Sequence, residues 1–293
     1  MEREKLFDSV KVVAVVILLT LVNMLLPIFS MLVLFIWPIP IAYLAIKHGL
    51  RHTAITVAVL AVINGLLFSP IMGVITVIGF GLIGFVIGGC LNEDFSPLKT
   101  LIASILAVLV SHVLIVYVAY YIMGIDFNYL IQEVAGFISQ NQEFSELKDI
   151  LQNQLQLIRV VFPGLITISA IITGILNYYL SLWYLNRKKF NFDVFLDLKY
   201  WHFPRWVITL GIAISLIISQ NPVVLNINVV LMFFAFLQGF AVGLYFISRR
   251  DSSLLKVVYV VAIMFIPLVP ILLFLLGLVD MWFNVRGLTG QQG

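Results

Sequence analysis

Charge is scarce in this 293-residue chain, with 17 Lys and Arg against 14 Asp and Glu, 11% in all. A water-soluble domain needs charged side chains to cover its surface, and there are too few here for that class. Cysteine is nearly absent. Cys90 alone excludes an internal disulfide and any cysteine metal framework, and reads as a small apolar residue at a helix end. No H-E-x-x-H, G-x-S-x-G or G-x-x-x-x-G-K-[ST] pattern occurs, so neither an enzyme nor a bound cofactor is expected. Active transport would need an ATPase module supplied by another chain. Gly79-Phe80-Gly81-Leu82-Ile83-Gly84 has dinucleotide-fingerprint spacing, but it lies inside an apolar run with no strand before it. The net charge of +3 is too small to suggest nucleic acid.

What is abundant is apolar surface: 62% of residues are hydrophobic and the mean hydropathy is +1.12. The apolar runs have the length of helices rather than of the alternating ten-residue strands of a barrel. The expected fold is an all-α polytopic membrane bundle of about nine spans. They lie near Val10–Leu26, Ser30–Ile46, Thr53–Phe68, Ile71–Leu91, Thr100–Met123, Phe162–Trp183, Trp206–Ile218, Asn226–Ile247 and Val257–Phe283. The second, with Pro38 and Pro40, is expected to bend. The last, with Pro267 and Pro270, is longer than one straight span needs and is read as one kinked helix, with a broken or re-entrant piece as the alternative. Gly84 and Gly88 in the fourth span allow close helix packing.

Basic residues of short loops stay on the cytoplasmic side, and Trp and Tyr settle at the interface. With residue 1 cytoplasmic, that side holds Lys47, Arg51, Lys99, the Arg187–Arg205 group, Arg249, Arg250 and Lys256. The opposite side holds only Lys148, Arg159 and Arg286. This places the C-terminus outside a bacterial inner membrane, although one span more or fewer around Pro38–Pro40 or Pro267–Pro270 would move it inside. Between spans five and six, residues 126–160 carry Leu130, Val134, Phe137, Phe144, Leu147, Leu151, Leu155 and Ile158 at helical spacing, with Asp126 as N-cap. The polar stretch Ser139–Glu143 divides this outer segment into two helices. It either lies along the membrane or forms a lid. The expected organisation is thus 1–187 with its outer segment, a cytoplasmic basic and aromatic loop at 188–205, and a three-helix extension at 206–293.

Polar groups inside apolar spans are the remaining candidates, since they are costly to bury in hydrocarbon without a partner. His112 and Gln238 fall near mid-membrane. Asn64, Tyr120, Tyr121 and Asp280 fall toward the outer side, with Asp280 read as solvated at an interface. Asn177 falls toward the inner side. A ligand pocket would draw on His112, Tyr117, Tyr120, Tyr121, Asn64 and Gln238, although a helix–helix hydrogen bond is the commoner use of each amide. Arg187, Lys188, Lys189, Lys199 and Arg205 are candidates for contact with a cytoplasmic partner or with lipid head groups.

Asn177-Tyr178-Tyr179 through Phe203-Pro204-Arg205-Trp206, then Gln238-Gly239-Phe240-Ala241-Val242 and Gly277-Leu278-Val279-Asp280-Met281-Trp282-Phe283, resemble the YybS-like family of bacterial membrane proteins of unknown function. The resemblance covers nearly the whole chain and implies topology and location, not a catalytic residue. The first six spans more distantly resemble the substrate-capturing S-components of energy-coupling-factor transporters. The resemblance implies small residues on the first span for docking a coupling subunit. Here Ala54-x-x-x-Ala58 lies in the third span instead. Two functions follow as expectations: a transport-type subunit with an outward-facing pocket, or an assembly or regulatory factor docking a cytoplasmic partner through Arg187–Trp206.

Overall fold

The computed structural model describes residues 2–140, 148–218, 221–250 and 252–288, and every regular element among them is helical. The chain forms two compact units. Unit 1 comprises residues 1–140 and 169–195, and unit 2 comprises 141–168 and 196–293.

In unit 1, α1 (Glu2–Leu25) stops before Pro27, whose missing N–H and fixed φ favour the short 3₁₀ turn Pro27–Phe29 that follows. Next come α2 (Ser30–Ile36) and α3 (Pro38–His48), which meet at Trp37. Trp37 keeps helical dihedrals (φ −56°, ψ −39°), so the run is interrupted at a single residue only. The Trp37 indole stacks on Phe80 with centroids 3.4 Å apart, and its Nε1 donates to the Val16 carbonyl at 3.3 Å. Gly49, at φ 84°, turns the chain into α4 (Leu50–Leu67). The Ser69 hydroxyl then caps α5 (Pro70–Ile75) by accepting from Met72 N. A wide π-helical turn, Thr76–Gly81, joins α5 to α6 (Leu82–Asn92), and α7 (Pro97–Tyr121) and α8 (Phe127–Gln140) follow. Any side chain on Gly84 or Gly88 would run into Pro38 O and Ile41 or into Ala42 and Ala45 of α3. These glycines therefore serve close helix packing.

The helix α9 (Lys148–Arg187) is continuous for 40 residues through Pro163. The second half of the outer amphipathic segment and the sixth span are therefore one helix rather than two elements. The division expected at 139–143 falls largely in 141–147, outside the described residues. In unit 1, the α9 backbone approaches α7, where Ser104 Oγ donates to the Gly174 carbonyl at 2.9 Å.

Unit 2 contains the first part of α9, a loop with the turn Leu198–Tyr200, α10 (Arg205–Ile217), α11 (Pro222–Ser248), α12 (Ser253–Phe265) and α13 (Leu268–Phe283). Pro163 has no N–H to give, and Asn226 of α11 inserts beside it: Gly164 N donates to Asn226 Oδ1 at 2.6 Å, and Asn226 Nδ2 donates to the Val160 carbonyl at 2.8 Å. A side-chain amide thus bridges the donor and the acceptor of the rung next to the proline.

Among the described residues, six helical stretches are long and apolar enough to cross a membrane: Glu2–Leu25, Leu50–Leu67, Pro70–Asn92, Pro97–Tyr121, Asn153–Arg187 and Pro222–Ser248. The other expected spans correspond to the shorter Leu32–His48 and Arg205–Ile217 and to the α12–α13 pair. That pair bends by 110° at Ile266–Pro267, so the single kinked helix expected there is replaced by two helices. Leu25, Leu66 and Ile217 are 74–83% exposed, while Asn64, Gln238 and Asp280 are fully buried. That inverted distribution suits a lipid solvent, where apolar exposure costs nothing and polar groups must find partners.

Candidate functional site

The densest buried polar arrangement among the described residues lies in unit 2, where α11 and α13 cross. Their closest approach is Gly239 against Gly277; a Cβ on either would strike the backbone carbonyl of Leu273 or Ala235. Only glycine lets the two backbones come together there, and the approach brings Gln238 and Asp280 side by side. Gln238 Nε2 donates to Asp280 Oδ2 at 2.6 Å, and Gln238 Oε1 accepts from Phe203 N at 3.0 Å. Past the end of α13, Asn284 takes a left-handed conformation (φ 46°), turning the chain so that Arg286 folds back over Asp280.

Arg286 Nη2 and Nε lie 2.9 and 3.1 Å from Asp280 Oδ2, and both side chains are wholly buried. The remaining guanidinium donors go to backbone: Nη1 to Lys199 O at 2.7 Å and Nη2 to Trp201 O at 2.8 Å. Arg286 N also donates to Asp280 Oδ1 at 3.2 Å. Arginine's planar fork suits this work, holding an anion and two carbonyls at once where a lysine would offer one point of charge. Asp280 is thus a buried, paired carboxylate, not the solvated interfacial group its position in the sequence implies. Arg286 lies beside the 199–201 backbone, within hydrogen-bond reach of the basic loop.

Around this pair sits an aromatic and basic rim. The Arg205 guanidinium is 5.7 Å from the Trp206 ring and 5.4 Å from the Trp282 ring, and those two indoles meet edge to face at 4.8 Å. Lys199 lies over Tyr200 and pairs with Asp197 at 3.2 Å. The bond with Asp197 holds the Lys199 ammonium above its ordinary pKa. In unit 1, Arg187 sits 4.6 Å over Trp183 and Lys188 5.6 Å over Tyr184, while Lys189 is exposed with a left-handed backbone. The Asn186 side chain holds the turn after them, exchanging two hydrogen bonds with the Phe192 backbone.

The other pocket candidates disperse. Tyr117, Tyr120 and Tyr121 form one aromatic cluster at the end of α7, 51–68% exposed. His112 is half-buried in α7. Asn64 is fully buried and donates to Thr76 Oγ1 at 2.9 Å, where the π-helical turn begins. Asn177 and Ser181, one turn apart on α9, are fully buried, and their side-chain polar atoms have no hydrogen-bond partner.

Sequence reasoning missed a second charged cluster, at the start of α1 in unit 1. Asp8 Oδ2 meets Lys47 Nζ at 2.7 Å and His48 Nε2 at 2.8 Å, and Glu4 reaches Lys47 at 2.9 Å. Ser9 Oγ shares a hydrogen bond with His52 Nε2 at 2.7 Å. The carboxylate and the hydroxyl engage different imidazoles, so the group fastens α1 to α3 and α4 without the shared imidazole of a nucleophile relay. The clue was available: Asp8 precedes the apolar run by only one residue, and the Lys47–His52 loop is basic.

Residues 13–281 match the model of a family described as predicted membrane protein (DUF2232). The chain belongs to that family. It is also 22% identical to the uncharacterized protein YybS of Bacillus subtilis (strain 168), over 96% of this chain and 97% of that one. No solved structure matches. The family match agrees with the multi-pass architecture and with the YybS-like resemblance drawn from the Asn177–Trp206 and Gly277–Phe283 stretches, and it assigns no activity.

Proposed function

We propose that this DUF2232 protein is a transport-type membrane subunit that binds or moves a small solute and is not an enzyme. It would reside in a bacterial cytoplasmic membrane, with the basic loop facing the cytoplasm. The observation that carries this reading is the broken pair α12–α13, packed on α11 through the buried Gln238–Asp280–Arg286 network. Ionisable groups inside a bilayer are expensive and concentrate along solute and ion pathways. Interrupted helices bring free backbone ends to membrane depth, which is tolerated where they line protein or a cavity, and transporters place binding sites at such breaks. On this reading the ligand-facing element is in unit 2, around Gln238, rather than at Tyr117–Tyr121. Any ATPase partner would be a separate chain.

The test is uptake and binding in proteoliposomes across a panel of vitamins and small metabolites, with Asp280→Asn in parallel. Solute-dependent uptake by the wild type that Asp280→Asn abolishes is the expected result. A correctly folded, reconstituted protein that neither binds nor moves any member of the panel would overturn it.

One observation favours a second reading, an assembly or regulatory factor. The loop backbone is held by buried side chains, with Tyr178 OH accepting from Phe195 N in unit 1 and Gln238 and Arg286 gripping residues 199–203 in unit 2. Cations on a fixed backbone suit a docking surface. Replacing Arg187, Lys188 and Lys189 with Gln should then reduce co-purification of a cytoplasmic partner; unchanged recovery, at unaltered topology, argues against it.

A further inference from the structure

The ends of α12 and α13 show which side of the membrane they serve. α12 begins at Ser253, just after the basic turn that closes α11, and runs back along it, with Tyr259 OH donating to Phe240 O at 3.2 Å. At 1.5 Å per residue, its 13 residues reach about 20 Å, and the 16 of α13 about 24 Å. Each falls short of a hydrocarbon core of about 30 Å. A kinked span would continue forward past its kink. A 110° bend instead gives α13 a backward component along the α12 axis.

The end of α13 is tied down independently. Arg286 holds the carbonyls of Lys199 and Trp201, and Tyr200 of the same loop packs edge to face on Tyr245, close to the Ser248 end of α11. The residues before α12 and after α13 are therefore both associated with that end of α11. Its other end, Pro222, begins after the turn that follows α10.

We infer that α12–α13 is a re-entrant hairpin, entering and leaving on the face of the 196–204 loop, with the Asp280–Arg286 pair as the latch that returns the chain to that face. Residues beyond Arg286 then share the side of Asp197, in place of the opposite side that nine full spans would require. The inference is independent of whether the protein transports anything.

The single native cysteine makes the test direct. In a Cys90→Ser background, Asp197→Cys, Pro222→Cys and Gln291→Cys are labelled with a membrane-impermeant maleimide in intact cells and in inverted vesicles. A C-terminal epitope cleaved by added protease in the same vesicles gives a second measure that needs no reactive thiol. The inference expects Gln291→Cys and the epitope to follow Asp197→Cys and to oppose Pro222→Cys. Either reporter following Pro222→Cys, or equal access from both sides, overturns it.

Discussion

Removing both members of the Asp280–Arg286 pair should cost well under the sum of the two single losses. In Arg286→Leu, Asp280 loses its cation and keeps the Gln238 amide and a backbone N–H, while Lys199 O and Trp201 O lose their donors. Breaking a fully buried ion pair from one side typically costs about 3–5 kcal/mol. At about 2–4 °C of melting temperature per kcal/mol for a chain of this class, the drop should be roughly 6–20 °C. Asp280→Leu should do comparable damage by leaving a guanidinium in the protein interior. The double variant carries no charge, so its remaining cost is the loss of partners by Gln238 and the two carbonyls, about 1–3 kcal/mol per group at most. The double-mutant cycle should show that the single losses fail to add, with a coupling of about 2 kcal/mol or more. Tryptophan-fluorescence melting in detergent suits the measurement, because Trp201, Trp206 and Trp282 lie in this unit. Single variants that melt within about 2 °C of wild type, or losses that simply add, would refute the reasoning.

Four further outcomes follow from the contacts described above. Gly239→Ala and Gly277→Ala push a methyl group into the opposing helix backbone and should each cost at least 1–3 kcal/mol, roughly the cost of overpacking a tight core. Gly136→Ala, with nothing within 4 Å of the added carbon, should instead gain about 0.5–1 kcal/mol, as read by the same melts. Asn226→Leu withdraws both of its hydrogen bonds from α9 and should cost about 2–3 kcal/mol, at about 1–1.5 kcal/mol per hydrogen bond lost; Asn226→Asp, which keeps the acceptor but loses the donor, should fall between it and wild type. Asp8→Asn removes the charge that Lys47 and His48 share, so limited proteolysis should cut the first residues of α1 faster than in wild type, with unit 2 unaffected.

The membrane class, the helical fold and the packing use of Gly84 and Gly88 were legible because hydropathy and small-residue spacing are local properties of the chain. An irregularity at Pro267 was legible, but proline marks where a helix is interrupted without saying how far it turns. That angle governs everything downstream of Ile266. Read as one span, the last segment carries Asp280 toward an outer interface and Arg286 beyond it. With a bend of 110°, the two residues become the best-buried charges among the described residues of unit 2. A trace was present: an aspartate in an apolar helix, followed six residues later by arginine, with Asn284 and Gly287 between and after them as turn formers. The pocket residues were illegible for a different reason. His112 and Gln238 were placed at mid-depth and Asn64 toward the outer side by counting, and depth carries no azimuth. Asn64 turns to Thr76 and Gln238 to Asp280 because each finds its partner on a helix that counting cannot place.

The Asn226 wedge has a consequence for how the chain is made. Gly164 N and Val160 O are bridged by an amide that lies 62 residues further along the chain. At a synthesis rate of about 5–20 residues per second, the ribosome delivers Asn226 roughly 3–12 seconds after Gly164. Until then the Pro163 region of α9 lacks this bridge, and hydrocarbon offers no substitute. The nascent helix must wait in a place that supplies water or another polar surface and can settle fully only once α11 has joined it. Insertion of this protein is thus ordered by its own hydrogen bonds: the sixth apolar stretch to be synthesised is finished by a later one.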